Sequence, residues 1–287
     1  MTPRRAYTLR LPDGRLLPLG ERTLVMGVLN VTPDSFSDGG RHADADRAVD
    51  AGLAMIEAGA DLLEIGGEST RPGAAAVDEQ EERRRVVPVV AALAERSTVP
   101  IAIDTTKGPV ARAALDAGAA ILNDISGLRY DPAIGSLAAS RGAPLVLMHM
   151  RGRPADMHRA AVYGDTVAEV AGELRESIDR ALAAGVPRDQ IVVDPGIGFA
   201  KQPPHSFEVL ARLSELAVLE CPLLVGPSRK SFLTAAIGDR PAPERDWATA
   251  AAVTAAVLSG AHIVRVHAVA PMVDVVRVAD ALRRHAR

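Results

Sequence analysis

The sequence predicts a single (β/α)8 barrel with an N-terminal β-hairpin. Eight short, nearly continuous apolar runs alternate with amphipathic segments rich in Ala, Leu and Val. Such runs are typical of parallel strands that are covered on both faces. Several predicted helices end at glycines such as Gly59, Gly118 and Gly185, which suit the left-handed residue after a helix. No Ser/Gly-rich linker separates the units, so one closed barrel is predicted and a doubly wound open sheet is the alternative.

The repeating unit is a strand followed by a helix. The predicted strands are Leu24–Leu29, Leu62–Gly66, Ile101–Asp104, Ile121–Asp124, Pro144–His149, Ile191–Asp194, Leu223–Gly226 and Ile263–Val266. The predicted helices are Ala45–Ala58, Asp78–Arg96, Pro109–Ala117, Pro132–Ser140, Thr166–Ala184, His205–Leu213, Asp246–Ser259 and Pro271–Arg284.

A hairpin is predicted ahead of the first strand. The segments Tyr7–Leu11 and Arg15–Leu19 flank Pro12-Asp13-Gly14, which is a turn sequence between two short apolar runs. We therefore predict that residues 1–22 form a hairpin that closes the bottom of the barrel. Residues 23–287 are predicted to form the barrel, as one catalytic domain.

Composition favours a small-molecule enzyme of the cytoplasm. The 287 residues are 48% hydrophobic, and 33 basic residues are offset by 36 acidic ones, which argues against a nucleic-acid or membrane partner. The longest charge-free stretch, Ala248–Val264, is interrupted by Ser259-Gly260 and predicts a helix and a strand. The N-terminus has no apolar signal segment. Cys221 is the single cysteine, so no internal disulfide forms and a reducing compartment is expected.

Polar side chains end nearly every predicted strand, where a barrel enzyme places its active site. They are Asn30, Glu64, Glu68, Ser69, Thr70, Arg71, Asp104, Asn123, Asp124, His149, Asp194, Ser228, Arg229, Lys230, Ser231, Arg265 and His267. Two carboxylates and an amide, from Asp104, Asn123 and Asp194, suit the amino-pyrimidinone edge of a planar heterocycle. Other members of this set offer a neutral oxygen and two potential cations, as a metal-bound pyrophosphate requires: Asn30, Arg265 and His267.

Lysine is rare in this chain, and its few positions are therefore informative. Of the 33 basic residues only Lys107, Lys201 and Lys230 are lysines, and each follows a short apolar run. Chance in an Arg-biased composition is one explanation. The other is a requirement for the compact geometry of an ammonium, for which Lys230 is the main candidate.

Long motifs identify a family resemblance. Segments Met26–Gly40 and Leu63–Gly73 resemble the two signature segments of the dihydropteroate synthases. Asp194–Lys201, Gly226–Phe232 and Arg265–His267 are similar to later motifs of the family, in the same order. Motifs of this length have a low risk of a false match.

The resemblance implies a transferase of folate biosynthesis. The family joins 6-hydroxymethyl-7,8-dihydropterin pyrophosphate to p-aminobenzoate and releases 7,8-dihydropteroate and pyrophosphate. The resemblance also implies a homodimer and a Mg²⁺ cofactor, with Asn30 as its protein ligand. It implies that the loops 31–41 and 69–78 are mobile lids.

Residue roles follow from the same resemblance. It implies that the pterin is held by Asp104, Asn123, Asp194 and Lys230, and the pyrophosphate by Asn30, Arg265 and His267. It implies that p-aminobenzoate is bound by Thr70, Arg71, Pro72, Phe199 and Ser231. The residues expected to be catalytic are Asp104, Asp194, Lys230, Arg265 and His267. We expect an SN1-like reaction in which pyrophosphate leaves early.

The chain departs from the family pattern at a few positions. Ala268 stands where Asp is frequent, and Ala200 where Gly is frequent. Arg151 and Arg153 replace a common Gln and Thr, and they form either a solvated basic rim or a surface that attracts anionic substrates. Two alternative functions share the heterocycle site: a methyltransferase that uses methyltetrahydrofolate, and a pterin-binding paralogue without catalysis.

Overall fold

The computed structural model describes residues 4–32, 41–69, 76–157 and 159–286, with the backbone only at residues 41–43. The strands are β1 (Tyr7–Arg10), β2 (Leu16–Leu19), β3 (Leu24–Asn30), β4 (Leu62–Gly66), β5 (Ile101–Asp104), β6 (Ile121–Asp124), β7 (Leu145–Met148), β8 (Ile191–Asp194), β9 (Leu224–Val225) and β10 (Ile263–Val266). The helices are α1 (Arg41–Glu57), α2 (Glu79–Arg96), α3 (Gly108–Asp116), α4 (Ala133–Arg141), α5 (Thr166–Ala183), α6 (Pro203–Ala211), α7 (Thr234–Ile237), α8 (Asp246–Leu258) and α9 (Val269–His285).

Eight parallel strands form a closed barrel. Strands β3 to β8 pair in chain order, and β10 pairs with both β3 and β9. A bridge between Val193 of β8 and Leu223, just before β9, joins the two remaining edges. The barrel prediction is therefore confirmed, and the open-sheet alternative is wrong.

The predicted strands and helices are all present, with small changes at their ends. The largest displacement is at the start of α1, which begins at Arg41 instead of Ala45. Strand β9 is shorter than predicted because it lies between Pro222 and Pro227, and proline has no N–H for the strand ladder. Cys221 is buried there, and burial raises the pKa of its thiol to about 11, which leaves it unreactive at neutral pH.

The barrel interior is built from layers of side chains on alternate strands. The first complete layer of the even-numbered strands is apolar and fully buried: Leu62, Ile121, Val192 and Ile263. It belongs to the same apolar cluster as Leu9, Leu11 and Leu19 of the N-terminal hairpin. The hairpin formed by β1 and β2 is antiparallel, as predicted, and it covers this end of the barrel.

Polar contacts fix the hairpin to the barrel. The guanidinium of Arg4 donates to Thr23 Oγ1 and to the Ala261 carbonyl, both at 2.6 Å, and pairs with Asp280 of α9 at 3.2 Å. The Asp280 carboxylate also accepts from the Thr23 N–H at 2.6 Å. The hairpin thus shares both its core and its buried ion pair with the barrel. The domain boundary after residue 22 stays a prediction.

In the part of the chain that the structure describes, a membrane-crossing helix is not found, because none is both long and apolar enough.

The hairpin contributes apolar burial to the barrel end, which gives a testable prediction. Leu9→Ala removes a side chain with 0% exposure, and we expect the free energy of unfolding to fall by about 2–5 kcal/mol. Leu16→Ala in the same hairpin is the control: Leu16 is 60% exposed, and its loss should change stability by less than about 0.5 kcal/mol. Urea unfolding measures both values. Equal effects of the two substitutions would contradict the covering role of the hairpin.

Candidate active site

A polar layer follows the apolar one in the barrel. Glu64, Asn123, Asp194 and Arg265 each lie two residues after a member of the apolar layer, so their side chains point to the same interior. They come from β4, β6, β8 and β10, and all four are buried. Since an apolar quartet is usual in such barrels, this polar quartet marks the site.

Arg265 connects the members of the polar layer. Its Nη1 donates to Glu64 Oε1 at 3.1 Å, and its Nη2 lies 3.0 Å from Asp194 Oδ2. Burial disfavours the guanidinium charge, but Glu64 and Asp194 outweigh that effect and raise the pKa of Arg265 above its ordinary value. Gly226 leaves room for this group, because a Cβ there would lie 2.9 Å from Arg265 Nε.

Two buried oxygens of the polar layer have no hydrogen-bond donor among the described residues. They are Asn123 Oδ1 and Asp194 Oδ2. The Asn123 amide donates through Nδ2 to Glu64 Oε1 at 2.9 Å, which turns its oxygen away from Glu64. Asp194 Oδ1 accepts from the Gly196 N–H at 2.8 Å, whereas Oδ2 has only the ion pair with Arg265. A buried acceptor without a donor costs about 1–3 kcal/mol, so Asn123 Oδ1 favours a ligand with N–H groups. The charge of Asp194 Oδ2 is compensated by Arg265, and a carboxylate oxygen can accept a further N–H beside that ion pair.

Asp104 and Asn30 face a common gap at the barrel mouth. Gly66 lies between them, and a Cβ at that position would be 3.7 Å from Asp104 Oδ2 and 3.9 Å from Asn30 Oδ1. Burial and the carboxylate of Glu64 hold the pKa of Asp104 well above its ordinary value. A cavity of about 210 Å³ opens beside Asp104 and is also lined by Tyr130.

Lys230 connects the polar layer with an aromatic side chain. Its Nζ donates to the carbonyl of Ile197 and lies 4.5 Å from the centre of the Phe199 ring. Burial and the charge of Arg265 lower the pKa of Lys230 to about 7. Ser231 follows and is exposed at the start of a short 3-10 segment. The two side chains therefore occupy adjacent positions, one facing inward and one facing solvent.

The loop that carries Lys230 has a strained residue. Arg229 has a φ of 58°, which non-glycine residues rarely adopt. Its guanidinium makes two hydrogen bonds with Asp246, at 2.7 and 2.8 Å, and its N–H donates to Thr249 Oγ1 at 3.0 Å. These contacts from α8 hold the backbone that directs Lys230 toward the barrel axis.

His267 is neutral at pH 7. Its Nδ1 lies 3.0 Å from Ser228 Oγ, and burial together with Arg229 and Lys230 lowers its pKa to about 4. The sequence offered His267 as a potential cation, whereas a pKa of about 4 makes the ring neutral in the structure without ligands. Its partner Ser228 was not given a role from the sequence, although it stands in the Gly226–Phe232 motif.

Several predicted features lie apart from the polar layer or outside the described residues. Thr70, Arg71 and Pro72 lie outside the described residues, as does most of the two predicted lids, namely residues 33–40 and 70–75. The ammonium of Lys107 lies between the carboxylates of Glu68 and Glu82. Lys107 thus has an ion-pair role away from the polar layer.

The sequence left two explanations for Arg151, a solvated basic rim and a surface that attracts anionic substrates, and its contacts match neither. Its guanidinium donates to Glu173 and Glu169, at 2.7 Å each, and lies 4.0 Å from the centre of the Tyr163 ring. A cation paired in this way is part of the internal structure of the loop. Arg153 is exposed and stacks at 4.5 Å on the Tyr130 ring.

Known proteins are similar to this chain in both sequence and fold. The family described as pterin binding enzyme matches residues 26–267. Dihydropteroate synthase of Synechocystis is 48% identical over 276 residues, which is 96% of this chain and 95% of that protein. The structure of Xanthomonas albilineans dihydropteroate synthase with 4-aminobenzoic acid has a TM-score of 0.90 and 43% identity, and the match covers 97% of this chain and 99% of that one.

A second structure of the Xanthomonas albilineans enzyme, in complex with 7,8-dihydropteroate, has a TM-score of 0.86 and 41% identity, with 96% of this chain and 98% of that chain covered. A family match across residues 26–267, together with these identities over nearly full length, decides the assignment. The chain belongs to the pterin binding enzymes and, among them, to the dihydropteroate synthases.

Proposed function

We propose that this chain joins 6-hydroxymethyl-7,8-dihydropterin pyrophosphate to p-aminobenzoate, giving 7,8-dihydropteroate and pyrophosphate. The observation that carries the proposal is a pair of buried acceptors in the described residues: Asn123 Oδ1, which has no donor, and Asp194 Oδ2, which has only the ion pair with Arg265. A pterin presents ring and amino N–H groups along one edge, and these groups supply the missing donors. Asp104 lies at the same mouth and adds a third polar group for the ring.

Lys230 completes the proposed pterin site. Among the described residues its ammonium has one hydrogen-bond acceptor, the Ile197 carbonyl, so further N–H donors remain for a ring oxygen or nitrogen of the pterin. Its contact with the Phe199 ring supports a pterin side that adjoins the proposed p-aminobenzoate side. There Phe199 packs against the benzoate ring and Ser231 binds at the exposed edge. The proposed partners Thr70, Arg71 and Pro72 belong to the same subsite.

We also propose that Asn30, Arg265 and His267 hold the pyrophosphate, with Mg²⁺ as cofactor. No group of three or more His, Cys, Asp or Glu side chains in the described ranges could hold a metal ion. Mg²⁺ commonly takes one or two protein oxygens and completes its shell with water and substrate phosphates. The amide oxygen of Asn30, facing the gap at Gly66, fits that donor set. When bound, Mg²⁺ would neutralise charge on the pyrophosphate.

The residues of the chain support an SN1-like reaction. The bond between the pterin methylene carbon and the pyrophosphate oxygen breaks, and the electron pair leaves with pyrophosphate. Arg265 and the neutral His267 donate hydrogen bonds to the leaving oxygens. Arg265 can do so because only two of its five N–H donors face carboxylates. Asp104 and Asp194 stabilise the positive charge that spreads into the ring. The arylamine nitrogen then forms the new C–N bond and loses one proton.

The two alternative functions predict different products. A methyltransferase would use the same heterocycle site but would need no residues that bind pyrophosphate at the barrel mouth. A pterin-binding paralogue would bind the ring without turnover. Incubation of the purified protein with the pterin pyrophosphate, p-aminobenzoate and Mg²⁺ separates them, and we expect dihydropteroate and pyrophosphate in equal amounts. Binding of a pterin without any product would overturn the proposed activity.

We propose a homodimer of the chain, formed through α8. Trp247 is 90% exposed, and Ala251 and Ala255 follow it on the same exposed face at four-residue spacing. Tryptophan is enriched at interfaces between proteins relative to the rest of the surface, so the exposed Trp247 supports an interface here. We also propose a cytoplasmic location, which the free thiol of Cys221 supports.

The polar layer predicts the effect of Asp194→Asn. The amide oxygen should keep the Gly196 N–H, so the NH₂ group takes the position of Oδ2, against Arg265 and the pterin N–H groups. Loss of a charged hydrogen bond is worth about 1.5–3 kcal/mol, so affinity for a pterin analogue should fall about 10- to 100-fold. Calorimetry measures this affinity. The matched control is Asp280→Asn, a buried carboxylate paired with arginine at the other barrel end, which should leave affinity unchanged.

Lys230→Arg should lower kcat/KM for both substrates about tenfold or more, because a planar guanidinium does not fit the ammonium position beside Phe199. Lys107→Arg is the comparison: Lys107 also lines the cavity beside Asp104, but it pairs with Glu68 and Glu82, and a guanidinium can keep those ion pairs, so kcat/KM should fall less. Steady-state kinetics and thermal melts are measured on both variants. Near wild-type kinetics for Lys230→Arg would show that Lys230 does not lie between the two subsites.

Trp247→Glu should convert the dimer into a monomer, because it places a charge in the middle of the proposed interface. Light scattering after gel filtration should give twice 30.1 kDa for the wild type and 30.1 kDa for the variant. A wild-type mass of 30.1 kDa, or a variant that remains dimeric, would contradict an α8 interface.

A further inference from the structure

The turn Gly196–Ala200 follows β8 and carries Phe199. Gly198 and Ala200 have φ values of 80° and 47°, and for Ala200 this is a conformation that few non-glycine residues adopt. A turn with such backbone angles persists only where its surroundings hold it. The hydrogen bonds that its carbonyl groups accept therefore identify the side chains that hold the turn.

Lys201 binds both ends of this turn. It is 2% exposed, and its Nζ donates to the carbonyls of Gly196 and Phe199 at 3.2 Å each. A third acceptor, His149 Nδ1, lies 2.8 Å away. Burial lowers the pKa of Lys201 to about 7. In the protonated form all three N–H donors are used by the protein, so Lys201 has none left for direct substrate contact.

His149 is fixed as the acceptor for Lys201. Burial and the charge of Lys201 lower the pKa of His149 to about 3, so the ring is neutral. Its Nε2–H donates to Glu173 Oε2 at 3.1 Å, which leaves Nδ1 as the acceptor. Glu173 in turn accepts from Arg151 Nε at 2.7 Å.

The other carbonyls of the turn are held from two further sides. Tyr163 donates its hydroxyl to the Ala200 carbonyl at 2.9 Å, and Arg151 stacks on the Tyr163 ring. On the inner side, Lys230 donates to the Ile197 carbonyl and contacts the Phe199 ring. The position of Phe199 relative to Lys230 therefore depends on contacts that Lys201 and its partners make on the far side of the turn.

We propose that Lys201 is a positioning residue for the proposed reaction: with His149 it fixes the Gly196–Ala200 turn, so that Phe199 lies against Lys230 at the p-aminobenzoate side. This inference rests on the proposed function. Arg151, at a position where the family commonly has Gln, serves both branches of the network, since it orients Glu173 and covers Tyr163.

The test compares Lys201→Met and Tyr163→Phe with the control Asp280→Asn. Lys201→Met removes the two hydrogen bonds from Lys201 to the Gly196 and Phe199 carbonyls, and we expect KM for p-aminobenzoate to rise about tenfold or more while KM for the pterin pyrophosphate changes less than about threefold. Tyr163→Phe removes a single hydrogen bond to Ala200 and should change the same KM in the same direction by a smaller factor. Asp280→Asn should lower the melting temperature without changing either KM.

A binding and a spectroscopic measurement keep the inference independent of turnover. We measure the dissociation constant for p-aminobenzoate in the presence of pyrophosphate, Mg²⁺ and a pterin analogue, and the ¹⁵N NMR signals of His149. In the wild type these signals should report a neutral ring protonated at Nε2, and in Lys201→Met the Nδ1 signal should shift because its donor is lost. His149→Gln assigns the signals.

The outcomes separate the two proposals. Absence of dihydropteroate from the wild type overturns the proposed function, and the dissociation constant for p-aminobenzoate then decides the role of Lys201. An unchanged KM and dissociation constant for p-aminobenzoate in Lys201→Met overturn the positioning role, as does an equal rise in both KM values. If Lys201→Met does not fold, Tyr163→Phe decides: an unchanged KM and dissociation constant for p-aminobenzoate in that variant contradict the proposal.

Discussion

The ion pairs of the buried Arg265 guanidinium are the interaction on which the rest of the site depends. They connect β10 with Glu64 on β4 and Asp194 on β8, across the barrel interior. Removal of one partner of such a buried pair costs about 3–5 kcal/mol, because the other charge is left without compensation. The pairs therefore fix the orientation of the carboxylates. Through Glu64 they also fix Asn123, whose Oδ1 has no donor among the described residues. Asp194 Oδ2, which has only the Arg265 ion pair, is the second acceptor that a ligand can use.

The barrel separates stability from chemistry along its axis. At the N-terminal end an apolar layer and the hairpin supply burial, with the pair of Arg4 and Asp280 as the polar connection. One layer further along, the interior becomes polar, and the burial of these charged groups costs free energy. The two loops at the barrel mouth contain left-handed residues, Ala200 and Arg229. The buried Lys201, which follows Ala200 in the chain, holds the first loop, and Asp246 of α8 holds the second. The strained backbone at the mouth thus depends on contacts that lie outside the polar layer.

The architecture could be predicted from the sequence because each strand and helix carries its own periodicity. The polar layer was only partly predicted: Glu64 was recognised at a strand end but received no role. A signal existed, because Glu64, Asn123 and Arg265 stand two residues after Leu62, Ile121 and Ile263 in alternate strands. Side-chain pairing in three dimensions was not predictable. The contact of Ser228 with His267, and of Lys201 with His149, joins residues whose separation along the chain gives no pattern.

The central claim is that the polar layer presents two oriented acceptors to the N–H edge of a pterin. A crystal structure of the chain with a bound pterin analogue tests this most directly. The account predicts ring or amino nitrogens of the analogue within about 3.2 Å of both Asn123 Oδ1 and Asp194 Oδ2, with the Arg265 ion pairs intact. An analogue bound elsewhere, or water molecules in place of these two contacts, would contradict the account.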